Sequence, residues 1–137
     1  MQVTPVGENR NEAQERALRN TFEKMEGAIR ENSCLMFSTA VCPYCTYAKD
    51  FIEKFGKKCN VIDLSKGENK QLGAVVTAVT NQRTVPNIFL HQMHVGGYDE
   101  LVAVEKQCQN TDSVLFKDKQ YAEVCGFFGH QTGGEGQ

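Results

Sequence analysis

The sequence predicts an α/β domain: a four-stranded mixed sheet with helices on both faces, preceded by an extra N-terminal helix. Two observations carry that prediction. Short apolar runs alternate with segments of helical period along the chain, and strands joined through a helix pair in parallel by a right-handed crossover. Two late runs, at 86–90 and 93–95, are separated by only two residues, which reads as an antiparallel hairpin. At 137 residues the chain fits one domain. A domain of that size buries roughly two-thirds of its unfolded surface and needs no disulfides to fold.

Residues 1–7 are polar, with Pro5 and Gly7, and read as a disordered tail. From Glu8 to Glu31 the chain is charged, with Leu18, Phe22, Met25 and Ile29 at helical spacing. This predicts an amphipathic helix with one narrow apolar stripe. Residues 33–38, SCLMFS, form a short apolar run and a buried strand. A helix over 43–55 follows. CNVIDL at 59–64 is the second strand, Lys66 and Gly67 turn the chain, and 69–79 is the next helix. The hairpin comes next, with His91 and Gln92 as its turn, then the Gly96-Gly97 break. A helix over 99–108 and another over 112–125 complete the domain. The domain is expected to span 33–127, with 1–32 as an N-terminal extension and the Gly-rich 128–137 as a disordered tail.

Composition excludes several function classes. Net charge is −2, with the cations spread along the chain, so nucleic acid is not an expected partner. No apolar run approaches the ~20 residues that cross a bilayer. The N-terminus has no apolar core segment of a secretory signal, and Glu8, Glu12 and Glu15 argue against a transit peptide. A cytoplasmic monomer in a reducing compartment is expected, where most thiols stay free.

Cys42 and Cys45 stand three apart, with Pro43 and Tyr44 between them. Three chemistries fit two such thiols. A structural bridge would close so short a loop that it adds little stability. A zinc site needs four ligands, and the other two would have to be His91 and His94, which fall on the hairpin. A redox pair has local geometry in its favour. Pro43 suits the first turn of a helix, which places Cys42 at the helix tip among unpaired N–H groups. Such a thiol has its pKa lowered to roughly 3.5–7.5. Cys45 falls on the apolar face with Ala48, Ile52 and Phe55. One exposed thiolate and one sheltered partner is the asymmetry that thiol–disulfide exchange needs. The spacing alone leaves all three open.

Two further stretches bear on ligand binding. Pro86 in RTVPNIF opens a strand, and a cis bond before it would leave the Thr84-Val85 backbone free to pair with a ligand. An ordinary edge-strand proline is the alternative. VGGYDEL at 95–101 brings two glycines into an acidic helix start. Its N–H groups could hold a carboxylate and Asp99 and Glu100 an ammonium, or it could be only a turn with an acidic cap.

Together, and in this order, C-P-Y-C, T-V-P and G-G-Y-D-E-L resemble the glutaredoxin family, over roughly 33–109. The resemblance implies a thioredoxin-like fold and a glutathione-dependent oxidoreductase acting on protein–glutathione mixed disulfides and protein disulfides. It implies Cys42 as nucleophile and Cys45 as resolving thiol, with no metal. Thr84 and Val85, before a cis Pro86, would pair with the cysteinyl backbone of glutathione. Gly97, Tyr98, Asp99 and Glu100 would hold its γ-glutamyl end. The alternative the family offers is a protein that carries an iron–sulfur cluster between two protomers through Cys42 and glutathione; a stiff Pro43 turn weighs against it. The chain departs from the family pattern in three places: Thr39 stands where the family usually has Lys, Glu100 where it mostly has Asp, and the N-terminal helix is longer than the family core needs. Arg83 could supply the charge that Thr39 lacks. Cys34 and Cys59 read as core residues. Cys108 and Cys125 fall on late helices, where a bridge or a regulatory oxidation is the alternative to free thiols.

Overall fold

The computed structural model describes residues 9–131. The N-terminal tail expected at 1–7 and the last residues of the expected C-terminal tail lie outside that range. The elements run α1 Arg10–Glu31, β1 Cys34–Ser38, α2 Pro43–Glu53, β2 Asn60–Asp63, α3 Lys70–Thr80, β3 Asn87–Leu90, β4 Met93–Gly96, α4 Tyr98–Cys108 and α5 Lys119–Phe127. Short 3-10 turns precede α3 and α5. The sheet order is β2-β1-β3-β4. β1 and β2 pair in parallel, with Met36 opposite Val61, and β1–β3 and β3–β4 are antiparallel. The mixed sheet expected from the element order is thus present.

Side chains alternate across a strand, and β1 uses both of its faces. Leu35 and Phe37 point to one side, where they meet Met25, Leu72, Val76 and Phe89 from α1, α3 and β3. Phe37 and Phe89 meet edge to face, 6.2 Å between centroids. Cys34 and Met36 point to the other side, with Cys45, Ala48, Ile52, Leu101 and Val124 from α2, α4 and α5. A strand buried on both faces has no polar side to show, which is why SCLMFS reads as an unbroken apolar run.

The N-terminal helix packs its apolar stripe on the domain: Met25 is 1% exposed and α1 lies along α3 to close one face of the sheet. Two expectations need correction. The single helix expected over 112–125 is instead a 3-10 turn at Val114–Lys117 followed by α5. Asp118 divides them, because its extended backbone and its Oδ1, which accepts the Tyr121 N–H at 2.8 Å, make it the N-cap of α5. The packed chain also continues past 127. Phe128 is buried, and His130 Nε2 lies 2.7 Å from Glu105 Oε2 on α4.

The hairpin turn is His91-Gln92, with φ of 46° and 71°. Two positive φ values are what a two-residue turn matched to the twist of its strands requires, although neither residue is the Gly or Asn that usually supplies them.

Candidate active site

Cys42 is the N-cap of α2. Its backbone is extended, Pro43 fills the first helical position, and its Sγ accepts the Cys45 N–H at 3.1 Å. A sulfur in that place meets the unpaired N–H groups of the first turn and the positive end of the helix dipole. Cys42 is half-buried, whereas Cys45 is 2% exposed and packs with Ala48 and Ile52. The two are joined as a disulfide in this structure, with Cα atoms 5.2 Å apart. The asymmetry expected from the i, i+3 spacing is therefore present in the geometry.

The Val85–Pro86 bond is cis, and Thr84 is exposed. The loop is held from below by one side chain: Gln82 Nε2 donates to the Thr84 carbonyl at 3.0 Å and to the Pro86 carbonyl at 2.9 Å. Behind it, Thr80 Oγ1 accepts from the Gln82 N–H and from Asn87 Nδ2, and Asn87 Oδ1 accepts from His94 Nε2 at 2.8 Å. Asn87 is 1% exposed, and both ends of its amide find partners within this network.

The glycine pair sits against the cis-proline loop. A Cβ on Gly97 would lie 3.6 Å from the Pro86 carbonyl oxygen and 3.1 Å from Glu100 Oε1. Gly96 has φ +117°, a backbone that only glycine adopts without strain. Glu100 Oε1 accepts the Gly97 N–H at 2.8 Å, so this carboxylate caps its own helix. Asp99, exposed one residue earlier, has its carboxylate beside the same helix start.

The third motif, which meets the cis-proline loop through Gly97, joins the first through aromatic rings. Tyr44 lies 6.0 Å from Tyr98, and Tyr47 lies 5.5 Å from Tyr44 and 6.0 Å from Tyr98. The structure thus gathers Cys42, Cys45, Thr84, Val85, Pro86, Gly97, Tyr98, Asp99 and Glu100 at one end of the sheet. His91 and His94 lie apart from them in function: His91 stacks edge-on with Phe127 and His94 supports Asn87. Sequence reasoning missed Gln82 and Tyr47. Tyr47 carried a usable signal, since it falls three residues after Tyr44 and so shares its helix face. Gln82 carried none, because its role depends on a loop folding back over it.

Comparison with known proteins bears on this arrangement. The family model for glutaredoxin matches residues 34–95. A glutaredoxin of Ricinus communis is 33% identical over 87 residues, which cover 63% of this chain and 85% of that one. The chain belongs to the glutaredoxin family. A Solanum lycopersicum glutaredoxin is 32% identical over 88 residues, 82% of its length. Among solved structures, a buckwheat glutaredoxin–glutathione complex superposes with a TM-score of 0.64 at 24% identity, over 85% of this chain and 97% of that one. At that identity the likeness speaks for the fold, which is the thioredoxin-like fold of glutaredoxins. The dithiolic 2-C-Grx1 of Trypanosoma brucei brucei, at 28% identity, gives 0.56 over 61% of this chain and 87% of that one. Glutaredoxins are thiol–disulfide oxidoreductases.

Proposed function

We propose that this glutaredoxin reduces protein–glutathione mixed disulfides, and disulfides within proteins, with glutathione as co-substrate. The observation that carries the reading is the placement of the two thiols: Cys42 half-exposed at the tip of α2, Cys45 enclosed one turn below it. In the reduced enzyme the Cys42 thiolate attacks the glutathione sulfur of a mixed disulfide. The old S–S bond breaks, the target leaves as a thiolate and takes up a proton, and Cys42 becomes glutathionylated. A second glutathione thiolate attacks that glutathione sulfur, releasing Cys42 and forming glutathione disulfide. On a protein disulfide the Cys42 thiolate instead attacks one sulfur, breaking the target's S–S bond and freeing its other sulfur as a thiol. Cys45 then attacks the Cys42 sulfur and expels the target's second thiol, leaving a Cys42–Cys45 disulfide that two glutathiones reduce as they form glutathione disulfide.

In this reading glutathione lies along the cis-proline loop, its cysteinyl backbone pairing with Val85 as an added strand would. Thr84 and Pro86 flank that edge, and the Gln82 amide holds both of their carbonyls. The γ-glutamyl carboxylate meets the N–H groups of Gly97 and Tyr98 at the start of α4, and its ammonium meets Asp99. Glu100 acts mainly by shaping that helix start, because one of its oxygens caps Gly97. The buckwheat neighbour, solved as a complex with glutathione, supports glutathione as the small thiol. Reduction of a glutathionylated peptide by wild type and by Cys42→Ser tests the reading. Wild type is expected to turn over and Cys42→Ser to fall to background; retained activity in Cys42→Ser overturns it.

A further inference from the structure

The six cysteines form three pairs in this structure, and two of them lie away from the active site. They differ in one respect that matters for chemistry. Cys108 and Cys125, between α4 and α5, are both 0% exposed. Cys34 is 2% exposed, but its partner Cys59 is half-buried. The second pair follows from the register of the sheet. β1 and β2 run parallel with Leu35 opposite Asn60, so the rung before it sets Cys34 beside Cys59, with Cα atoms 4.6 Å apart. That separation is within the range a disulfide spans. Cys34 is the core residue expected, whereas Cys59 is only half-buried against that core.

We infer that Cys34 and Cys59 form a second thiol-exchange site, in which Cys59 accepts glutathione and Cys34 resolves it into the cross-strand disulfide. Three features of the site favour this. β2 is an edge strand, so Cys59 is approached from solvent while Cys34, on the central β1, is not. The exposed Lys57 and Lys58 directly precede Cys59 in the chain, with Lys57 Nζ over the Phe127 ring at 5.8 Å, so the approach to this end of β2 carries positive charge for an anionic tripeptide. A cavity of about 360 Å³, lined by Ser33, Lys57, His91, Glu123, Gly126 and Phe127, opens beside the start of β1. Lys57 and Glu123 there offer one charge of each sign to a tripeptide that carries both.

The step balances with glutathione disulfide as oxidant. The Cys59 thiolate attacks one of its sulfurs; that S–S bond breaks, one glutathione leaves and Cys59 becomes glutathionylated. Cys34, losing its proton, attacks the Cys59 sulfur and expels the second glutathione. The cysteine pair loses two electrons, glutathione disulfide gains them, and the two cysteine protons end on the two glutathiones. The site rests on the proposed function only for the identity of the oxidant.

The test uses the full chain carrying Cys42→Ser and Cys45→Ser, so that its outcome is independent of the active site. Mild reduction, followed by alkylation and peptide mass spectrometry, is expected to open Cys34–Cys59 at least tenfold faster than Cys108–Cys125. The reduced site is then exposed to glutathione disulfide. Adding Cys34→Ser should trap a glutathione adduct on Cys59, at least fivefold above any adduct on Cys34 when Cys59→Ser is added instead. Cys34→Ala serves as a second trap should a hydroxyl at this buried position perturb folding. An unmodified Cys59 in both traps, or adducts of equal yield on Cys34, Cys59, Cys108 and Cys125, overturns the inference.

Discussion

Cys42 and Cys45 are the same residue type three positions apart, and their environments alone separate them. The Cys42 sulfur accepts a helix N–H and is half-exposed, while Cys45 is enclosed by Ala48 and Ile52. In the reduced protein Cys42 is expected to have a pKa below ~7.5, measured from thiolate absorbance or alkylation rate against pH. A value at the free-thiol reference of ~8.5 would contradict the helix-tip argument. The same scale separates Asp99 from Glu100. Glu100→Gln keeps an oxygen to cap the Gly97 N–H, so it should leave stability nearly unchanged. Asp99→Asn removes the charge proposed to meet the ammonium and should raise KM for a glutathionylated peptide about tenfold, in line with ~1.5–3 kcal/mol for a charge-assisted hydrogen bond, without moving the Cys42 pKa. Steady-state kinetics on both variants checks this. These residues were legible in the sequence because their roles follow from local geometry: Pro43 marks a helix start, and Gly96-Gly97 marks a turn no other residue enters easily. The capping role of Glu100 was less legible, since a carboxylate three residues into a helix serves a cap and a ligand equally well.

At the scale of elements, the hairpin β3–β4 carries a pH response. His94 Nε2 bonds Asn87 and its ring lies 5.1 Å from that of Phe89. Although β4 is an edge strand and His94 is exposed overall, partial burial of its ring lowers the His94 pKa from its ordinary 6.5, against a smaller opposing pull from the Glu100 carboxylate. A histidine whose folded pKa is depressed binds fewer protons than the unfolded chain just below its ordinary pKa. Its contribution to stability is therefore complete above about pH 6.5 and is lost as pH falls below it. His94→Gln should flatten this part of the stability profile between about pH 7 and 5, read by denaturant unfolding; an unchanged slope would remove His94 from the account. The α4–α5 junction carries a second prediction. Cys108–Cys125 closes a loop of sequence separation 17, for which chain entropy gives about 3 kcal/mol. Cys108→Ala with Cys125→Ala should lower stability by about that much, measured as a shift of the denaturant midpoint. Strands and hairpin were legible here because apolar runs and spacing encode them directly. The split of 112–125 into a 3-10 turn and α5 was not, because the apolar period continues across Asp118 and only the cap geometry reveals the break.

For the whole molecule, the sheet has two cores, and α1 closes one of them. Leu35, Phe37 and Phe89 are 0%, 0% and 6% exposed because α1 and α3 together cover that face. The sequence showed α1 as an amphipathic helix of narrow stripe but not what the stripe met, since its contacts lie on residues far along the chain. Met25→Ala should cost about 3 kcal/mol, typical for a large core side chain, with Cys42 chemistry preserved at the opposite face. The order of the three motifs along the chain was legible; their convergence at one end of the sheet required the fold, through Pro86 against Gly97 and Tyr44 against Tyr98. On this convergence rest the proposed roles of Cys42 as nucleophile and Cys45 as resolving thiol in a glutathione-dependent oxidoreductase. The most direct measurement compares Cys42→Ser and Cys45→Ser on a glutathionylated peptide and on a protein disulfide. Cys45→Ser should retain activity on the first, where glutathione resolves Cys42 from outside, and lose most of it on the second. Cys42→Ser should lose both, because a serine without an activating base is a poor nucleophile. Activity in Cys42→Ser on the glutathionylated peptide, together with its loss in Cys45→Ser, would reverse the two roles and contradict the account.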